Sequence, residues 1–262
     1  MKKITLLIGL LLGINLLTFA QRKDDPATLF ELSEQKLRQQ QGNVPKKTLS
    51  FSLGFAMPEG TFGSIFEAEQ GGFARTGLLL SVDGSYLLKK NYGIGATLAF
   101  YNNGVQKDGY RRSLMRHLPS NINGNISTSP WTVALAAAGP YLTFAESGLI
   151  VDLRFLLGLG IAKAPAFSFD GTYNQSIDIT DTRGKTTSLR PAMAFGASIS
   201  YPLPIWYEWS GFLKFEYTGM SAKIKTQQIT QSSDYTIQSN INSSQSASIF
   251  GISIGIRKEF WF

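Results

Sequence analysis

From Thr48 to Arg257 apolar and polar residues alternate with a period of two, in blocks separated by polar stretches. A reversal of character at every step marks strands with two unlike faces. Leu49, Phe51, Leu53 and Phe55 alternate with Ser50, Ser52, Gly54 and Ala56. The pattern recurs over 77–88, 92–101, 131–138, 149–161, 189–201, 208–217 and 250–257, which predicts eight strands. A tilted strand needs about 9 to 11 residues to cross a membrane, and most of these are that long or a little longer. Gly139-Pro140 interrupts the fourth block and predicts a bulge there.

The connections alternate in length. Lys89-Lys90-Asn91, Glu146-Ser147-Gly148 and Pro202-Leu203-Pro204 read as tight turns, whereas 57–75, 103–129, 163–188 and 219–245 are long. Outer-membrane barrels are built with short periplasmic turns and long outer loops. The first connection is long, so the chain starts on the turn side, and eight crossings return it there. Lys223-Ile224-Lys225 and Tyr235-Thr236-Ile237 keep the alternation within the last long connection. Strands seven and eight are therefore expected to run past the bilayer to a turn near Ser232-Ser233-Asp234.

Charge separates the two faces. Asp83, Asp152, Arg154, Arg190, Glu208, Lys214, Glu216, Arg257 and Glu259 share one face, whose other members are mostly Gly, Ala and Ser. Eight strands enclose just enough room for side chains, so these five acids and four bases are expected to pair across a filled lumen. The opposite face is apolar, and its one clear charge, Lys258, lies near a strand end. Tyr86, Tyr92, Tyr141, Tyr201, Trp209, Phe260 and Phe262 are expected at one membrane interface. Phe55, Phe100, Trp131 and Tyr217 are expected at the other, giving two aromatic girdles. The fold class read from this is all-β: an eight-stranded antiparallel up-and-down transmembrane barrel over 48–262.

The N-terminus has a different character. Lys2 and Lys3 precede an apolar run from Ile4 to Phe19, and Thr18-Phe19-Ala20 supplies small residues for cleavage after Ala20. Residues 1–20 thus read as a signal peptide, the run being too short for a membrane anchor. Residues 21–47 read as a periplasmic segment, either a short helix or a flexible tether. Asp24-Asp25 and Pro26 open it, Leu29, Phe30, Ser33 and Leu37 stripe it, and Gln41-Gly42 stops it. The chain has no Cys, which excludes a lipidated cysteine and a disulfide framework.

Losing Lys2 and Lys3 turns 25 Lys and Arg against 18 acids into 23 against 18, a net charge of +5. No concentrated basic face suits nucleic acid, but a basic balance suits the phosphates of lipopolysaccharide. Lys107, Arg111, Arg112 and Arg116, with only Asp108 among them, are the candidate contacts in the second long connection. An outer-membrane hydrolase or acyltransferase would need a His beside a nucleophile and an acid. The one His, His117, stands next to Arg116 in that same connection, near Ser113 and Ser120. No catalytic residue, metal site or cofactor is assigned. The expected function is a non-enzymatic barrel in a structural or surface and partner-binding role, with membrane lipid, lipopolysaccharide and an unidentified protein as partners. The alternatives are a narrow channel, an accessory subunit of an outer-membrane secretion or transport complex, and, further off, an enzyme.

Four stretches carry a resemblance: FSLGFAMPEGTFG, GSYLLKKNYGIGATLAFYNN, AAGPYLTF and the terminal IGIRKEFWF. Together they make residues 48–262 similar to the small outer-membrane β-barrel proteins of Bacteroidetes-type bacteria, the outer membrane protein beta-barrel domain. The resemblance implies the same fold and location. It also implies that the final aromatic strand, with Phe260 and Phe262, is read by the barrel-assembly machinery. Lys258 departs from the apolar residue usual at its step. Some relatives serve as accessory parts of secretion machines.

Overall fold

In the computed structural model the described residues are 44–65, 71–115, 122–146, 148–173, 177–203, 206–232 and 236–260. The expected signal peptide, most of the 21–47 segment, Arg116, His117 and Phe262 lie outside them. Within the described residues the chain forms eleven strands and one α-helix. In order these are β1 (Lys47–Glu59), β2 (Gly77–Lys89), β3 (Tyr92–Asn103), α1 (Lys107–Met115), β4 (Ile122–Thr128), β5 (Trp131–Glu146), β6 (Leu149–Ala164), β7 (Phe167–Tyr173), β8 (Ile177–Arg183), β9 (Thr186–Leu203), β10 (Trp206–Ser232) and β11 (Thr236–Phe260).

Eight of them close a ring in the order β1-β2-β3-β5-β6-β9-β10-β11, every neighbour antiparallel, with β11 returning to β1. This is the up-and-down barrel that the period-two pattern predicts. Closure leaves no strand of the ring with an unpaired edge, a requirement for any sheet surrounded by hydrocarbon. Outward side chains form a continuous apolar belt. Leu53, Leu80, Leu98, Leu157, Phe195 and Ile254 stand exposed, Leu98 at 62% and Ile254 at 68%. A water-soluble protein does not expose so large a contiguous apolar surface; the belt belongs in a membrane. At the end with short connections, Gly148 has φ +83, the left-handed conformation that lets β5 turn into β6 without a Cβ clash.

The three remaining strands form an annex at the end with long connections. The far part of β10 continues past β9 and takes β8 as a new neighbour, from Gln228↔Arg183 to Ser232↔Ile179. β7 then pairs with β8, and β4 with β7. β10 and β11 stay paired out to Gln231↔Thr236, so the long final hairpin holds as expected. The two middle connections are not plain loops: they carry α1, β4, β7 and β8.

Two further expectations are corrected. Gly139 and Pro140 cause no bulge: β5 and β6 pair in one register on both sides of them, Ala138↔Leu157 and Tyr141↔Arg154. Pro140 merely lacks an N–H to give to the ladder. The face assigned to β5 is also reversed. Trp131, Val133, Leu135 and Tyr141 point into the lumen, Trp131 only 4% exposed, while Ala134, Ala136 and Ala138 share the lipid-side row with Leu142 and Phe144. The lumen accepts these rings because small residues face them. A Cβ on Gly95 would meet Tyr141 Cδ2 at 2.7 Å. Neither Trp131 nor Tyr141 belongs to a girdle. Tyr86, Tyr92 and Tyr201 are exposed at the turn end, and Phe55, Phe100 and Tyr217 toward the other.

Candidate functional site

The inward face has two layers. Toward the turns it is charged; toward the annex it is apolar.

The charged side chains of this layer stand on four strands, β2, β6, β10 and β11. Arg154 on β6 reaches across the lumen and donates through Nη1 to Asp83 Oδ1 on β2 at 2.7 Å, and through Nη2 to Glu216 on β10. Gly196 makes room for it, since a Cβ there would lie 2.8 Å from Arg154 Nε. Lys214 Nζ donates to Asp83 Oδ2 at 3.0 Å and to Ser81 Oγ at 2.5 Å. Thr97 Oγ1 completes the shell of Asp83 at 2.6 Å. Glu216 Oε1 accepts from the Tyr101 hydroxyl at 3.0 Å, which also lies 2.8 Å from Thr218 Oγ1.

A second group lies nearer the turns. Arg257 on β11 donates to Asp152 on β6 and to Ser200 on β9. Asp152 also accepts from Thr143 at 2.9 Å and Ser198 at 3.0 Å. Glu259 accepts from Ser210 and lies 3.5 Å from Arg257 Nε. Four carboxylates thus face three cations, each of the seven no more than 8% exposed. Buried charges persist only when paired and hydrogen-bonded, and these are. A void of about 10 Å³ remains among Ser50, Asp83, Tyr141, Arg154, Lys214 and Arg257, room for about one water molecule.

Two predicted members lie apart from this cluster. The pairing of β9 with β10 shifts register between Trp206 and Ser210, which carries Glu208 out of the lumen. It sits 3.6 Å from Lys258, whose ammonium also stands 5.9 Å from the Trp209 ring and 5.4 Å from that of Phe260. A charge on the lipid-side row is thereby accommodated at the strand end. Arg190 faces inward near the annex, its Nε buried without a hydrogen-bond partner among the described residues.

The charge pattern of the inward face does not predict the apolar layer. Leu79, Leu156, Met220 and Ile249 point inward with a row of alanines. Above them the short turn Gly60–Phe62 folds into the mouth, and Phe62 packs edge-on against Trp131 with ring centroids 5.1 Å apart. Trp131 Nε1 donates to Gly72 O at 2.7 Å, so the indole is satisfied and fixed. Its signal was present in the sequence as an inverted strand, with bulky odd positions against a row of alanines.

Over the mouth, Phe73, Tyr110, Ile126 and Phe169 form a second small core that joins α1 to the annex. Tyr110 stacks on Phe167 at 4.2 Å. Lys107, Arg111 and Arg112 stand exposed on α1, beside Asp108. Among the described residues no three potential ligands converge as a metal site.

A scan against protein-family profiles finds no match, and neither does a search of curated protein sequences. Solved structures do align with the chain. Ail, the attachment invasion locus protein of Yersinia pestis, is 15% identical, with 83% of this chain and 99% of that one covered and a TM-score of 0.38. A major outer membrane protein from Thermus thermophilus is 12% identical, covering 82% and 99%, with a TM-score of 0.40. The outer membrane protease OmpT from Escherichia coli is 10% identical, covering 83% and 98%, with a TM-score of 0.30.

Proposed function

We propose that this chain is a non-enzymatic protein of a bacterial outer membrane, a closed barrel whose work is done at its outer surface, as a structural or partner-binding element. One observation carries the reading: the lumen is shut twice. Arg154, Lys214 and their carboxylates cross it near the turns, and Phe62 on Trp131 stops it below the annex. Nothing the size of a hydrated ion passes a lumen filled in this way, whereas the annex and α1 present a built surface beyond the membrane.

In this reading the signal at 1–20 directs export, Phe260 and Phe262 serve the assembly machinery, and the annex faces the exterior. Lys107, Arg111 and Arg112 on α1 lie where they meet lipopolysaccharide phosphates, with Arg116 next in the chain. The belt supports a membrane location, and the alternation of short and long connections supports the orientation.

The test is conductance. Purified full-length protein in planar bilayers is expected to show no steady current at moderate voltage. A reproducible channel of constant conductance overturns the reading and favours transport.

A further inference from the structure

The annex carries a cleft on the face turned away from its own core. Register aligns Ser127 of β4, Ser168 of β7, Thr182 of β8 and Ile229 of β10 in a single row. Residues paired in register share a face, and this row is offset by one from Ile126 and Phe169, which are buried against Phe73 and Tyr110. Where the annex leaves the barrel rim, the connections at Ser129, Ala166 and Gly184-Lys185 close the row from below. They leave a cleft of about 500 Å³, within the size range of small-ligand sites.

The lining narrows the chemistry. Ser127, Ser168 and Thr182 place three hydroxyls on adjacent strands, spaced about 4.7–4.9 Å apart, and each can donate and accept. Their internal bonds are long: Ser168 Oγ to Asp170 at 3.4 Å and Thr182 Oγ1 to the Ile229 carbonyl at 3.5 Å. Ile229 and Ala166 supply apolar surface beside them. Lys185, exposed at the mouth, is the one cation among the described lining residues. The next row on the same face, Asn125, Asp170, Thr180 and Gln231, is polar throughout. An acyl chain would waste these hydroxyls, and a metal would find no converging carboxylates. A sugar ring has a hydroxyl edge and a C–H face, which match the row and its apolar flank.

We infer that this cleft binds a hexose-type saccharide unit. Ser127, Ser168 and Thr182 bond its hydroxyls, Ile229 packs on its C–H face, and Lys185 reaches a phosphate or carboxylate substituent. The inference deepens the proposed surface-binding role and depends on it only for placing the annex outside the cell. The sugar comes either from lipopolysaccharide in the same leaflet or from a free glycan.

The experiment uses the purified full chain in detergent micelles, titrated by saturation-transfer NMR with two probes. One is maltotriose, for a free glycan; the other is delipidated, phosphorylated core oligosaccharide, for lipopolysaccharide. Saturable binding of either supports the site, and which one binds identifies the source. Gly184 lines the cleft and a Cβ there meets nothing within 4 Å, so Gly184→Trp adds bulk at the cleft without a clash at Cβ. That variant, and Ser168→Leu as a second, are expected to weaken binding by about tenfold or more, a change of about 1.4 kcal/mol. Lys185→Gln is expected to weaken only the phosphorylated probe. Absence of saturable binding by both probes overturns the inference, as does binding that survives both Gly184→Trp and Ser168→Leu. Because a conducting lumen would show in bilayers and not in this titration, the two readings fail separately.

Discussion

The Tyr101 hydroxyl on β3 donates to Glu216 Oε1 on β10 at 3.0 Å, and these strands stand four apart in a ring of eight, on opposite sides of the barrel. The two side chains, joined by one hydrogen bond, therefore bridge the lumen from wall to wall. Glu216 is held at its other oxygen by Arg154, so removing the phenol leaves a buried carboxylate short of one donor. Tyr101→Phe is expected to cost about 1–3 kcal/mol, read from urea unfolding of the protein in vesicles. An unchanged midpoint would mean that water already serves Glu216.

Arg154→Ala is the harsher change. It leaves Glu216 without its cation, while Asp83 keeps Lys214, and breaking a buried pair by deleting one partner costs about 3–5 kcal/mol. In the same unfolding assay the double variant Arg154→Ala, Tyr101→Phe is expected to fall short of the sum of the two single losses, since both act on Glu216. Strict additivity would show that the two bonds are independent.

The inward position of Trp131 has an optical consequence. A variant keeping only this tryptophan, with Trp206, Trp209 and Trp261 changed to Phe, is expected to resist quenching by lipids brominated on their acyl chains. A variant keeping only Trp206, which is exposed at the turn end, is expected to be quenched by bromine placed near the headgroups. Strong acyl-chain quenching of Trp131 would return it to the lipid face.

Opening the upper stop alone is expected to leave the lumen shut. Phe62→Ala removes a fully buried ring and costs about 3–5 kcal/mol. The charged layer below is untouched, so bilayer recordings of this variant are expected to stay silent. A new steady conductance would make the aromatic pair the only barrier.

Orientation is tested with epitope tags on intact cells. Tags near Asp108, Gly184 or Ser233 are expected to bind antibody from outside. Tags at Asn91, at Gly148 or just after Gln21 are expected to bind only after the outer membrane is opened. Termini found on opposite sides would overturn the eight-strand count.

The barrel was readable in the sequence because each crossing must show lipid one face and the lumen the other, which imprints a period of two over nine or more residues. β4, β7 and β8 escaped because they are seven residues each, and β4 and β8 are rich in polar groups on both faces. Outside the membrane nothing forces a contrast between faces. The reversed face of β5 has a different cause. Size alone does not mark the lipid side: Ala134, Ala136 and Ala138 are apolar enough for lipid, while Trp131 and Leu135 are large enough to fill the lumen. The register shift between Trp206 and Ser210, which the sequence does not announce, breaks the parity that assigns Glu208 to the lumen.

β10 runs as one uninterrupted strand of 27 residues, with Lys214 and Glu216 inside the barrel and Ile229 in the annex. It leaves β9 at Met220, and the twelve residues from there to Ser232 extend about 40 Å along the strand at roughly 3.3 Å per residue. Throughout that length β11 remains zipped to it. The annex is thus a mast stepped into the hull, with no hinge at the waterline. A pull on its tip is carried along one backbone to the ion pairs in the lumen, and the barrel as a whole resists it.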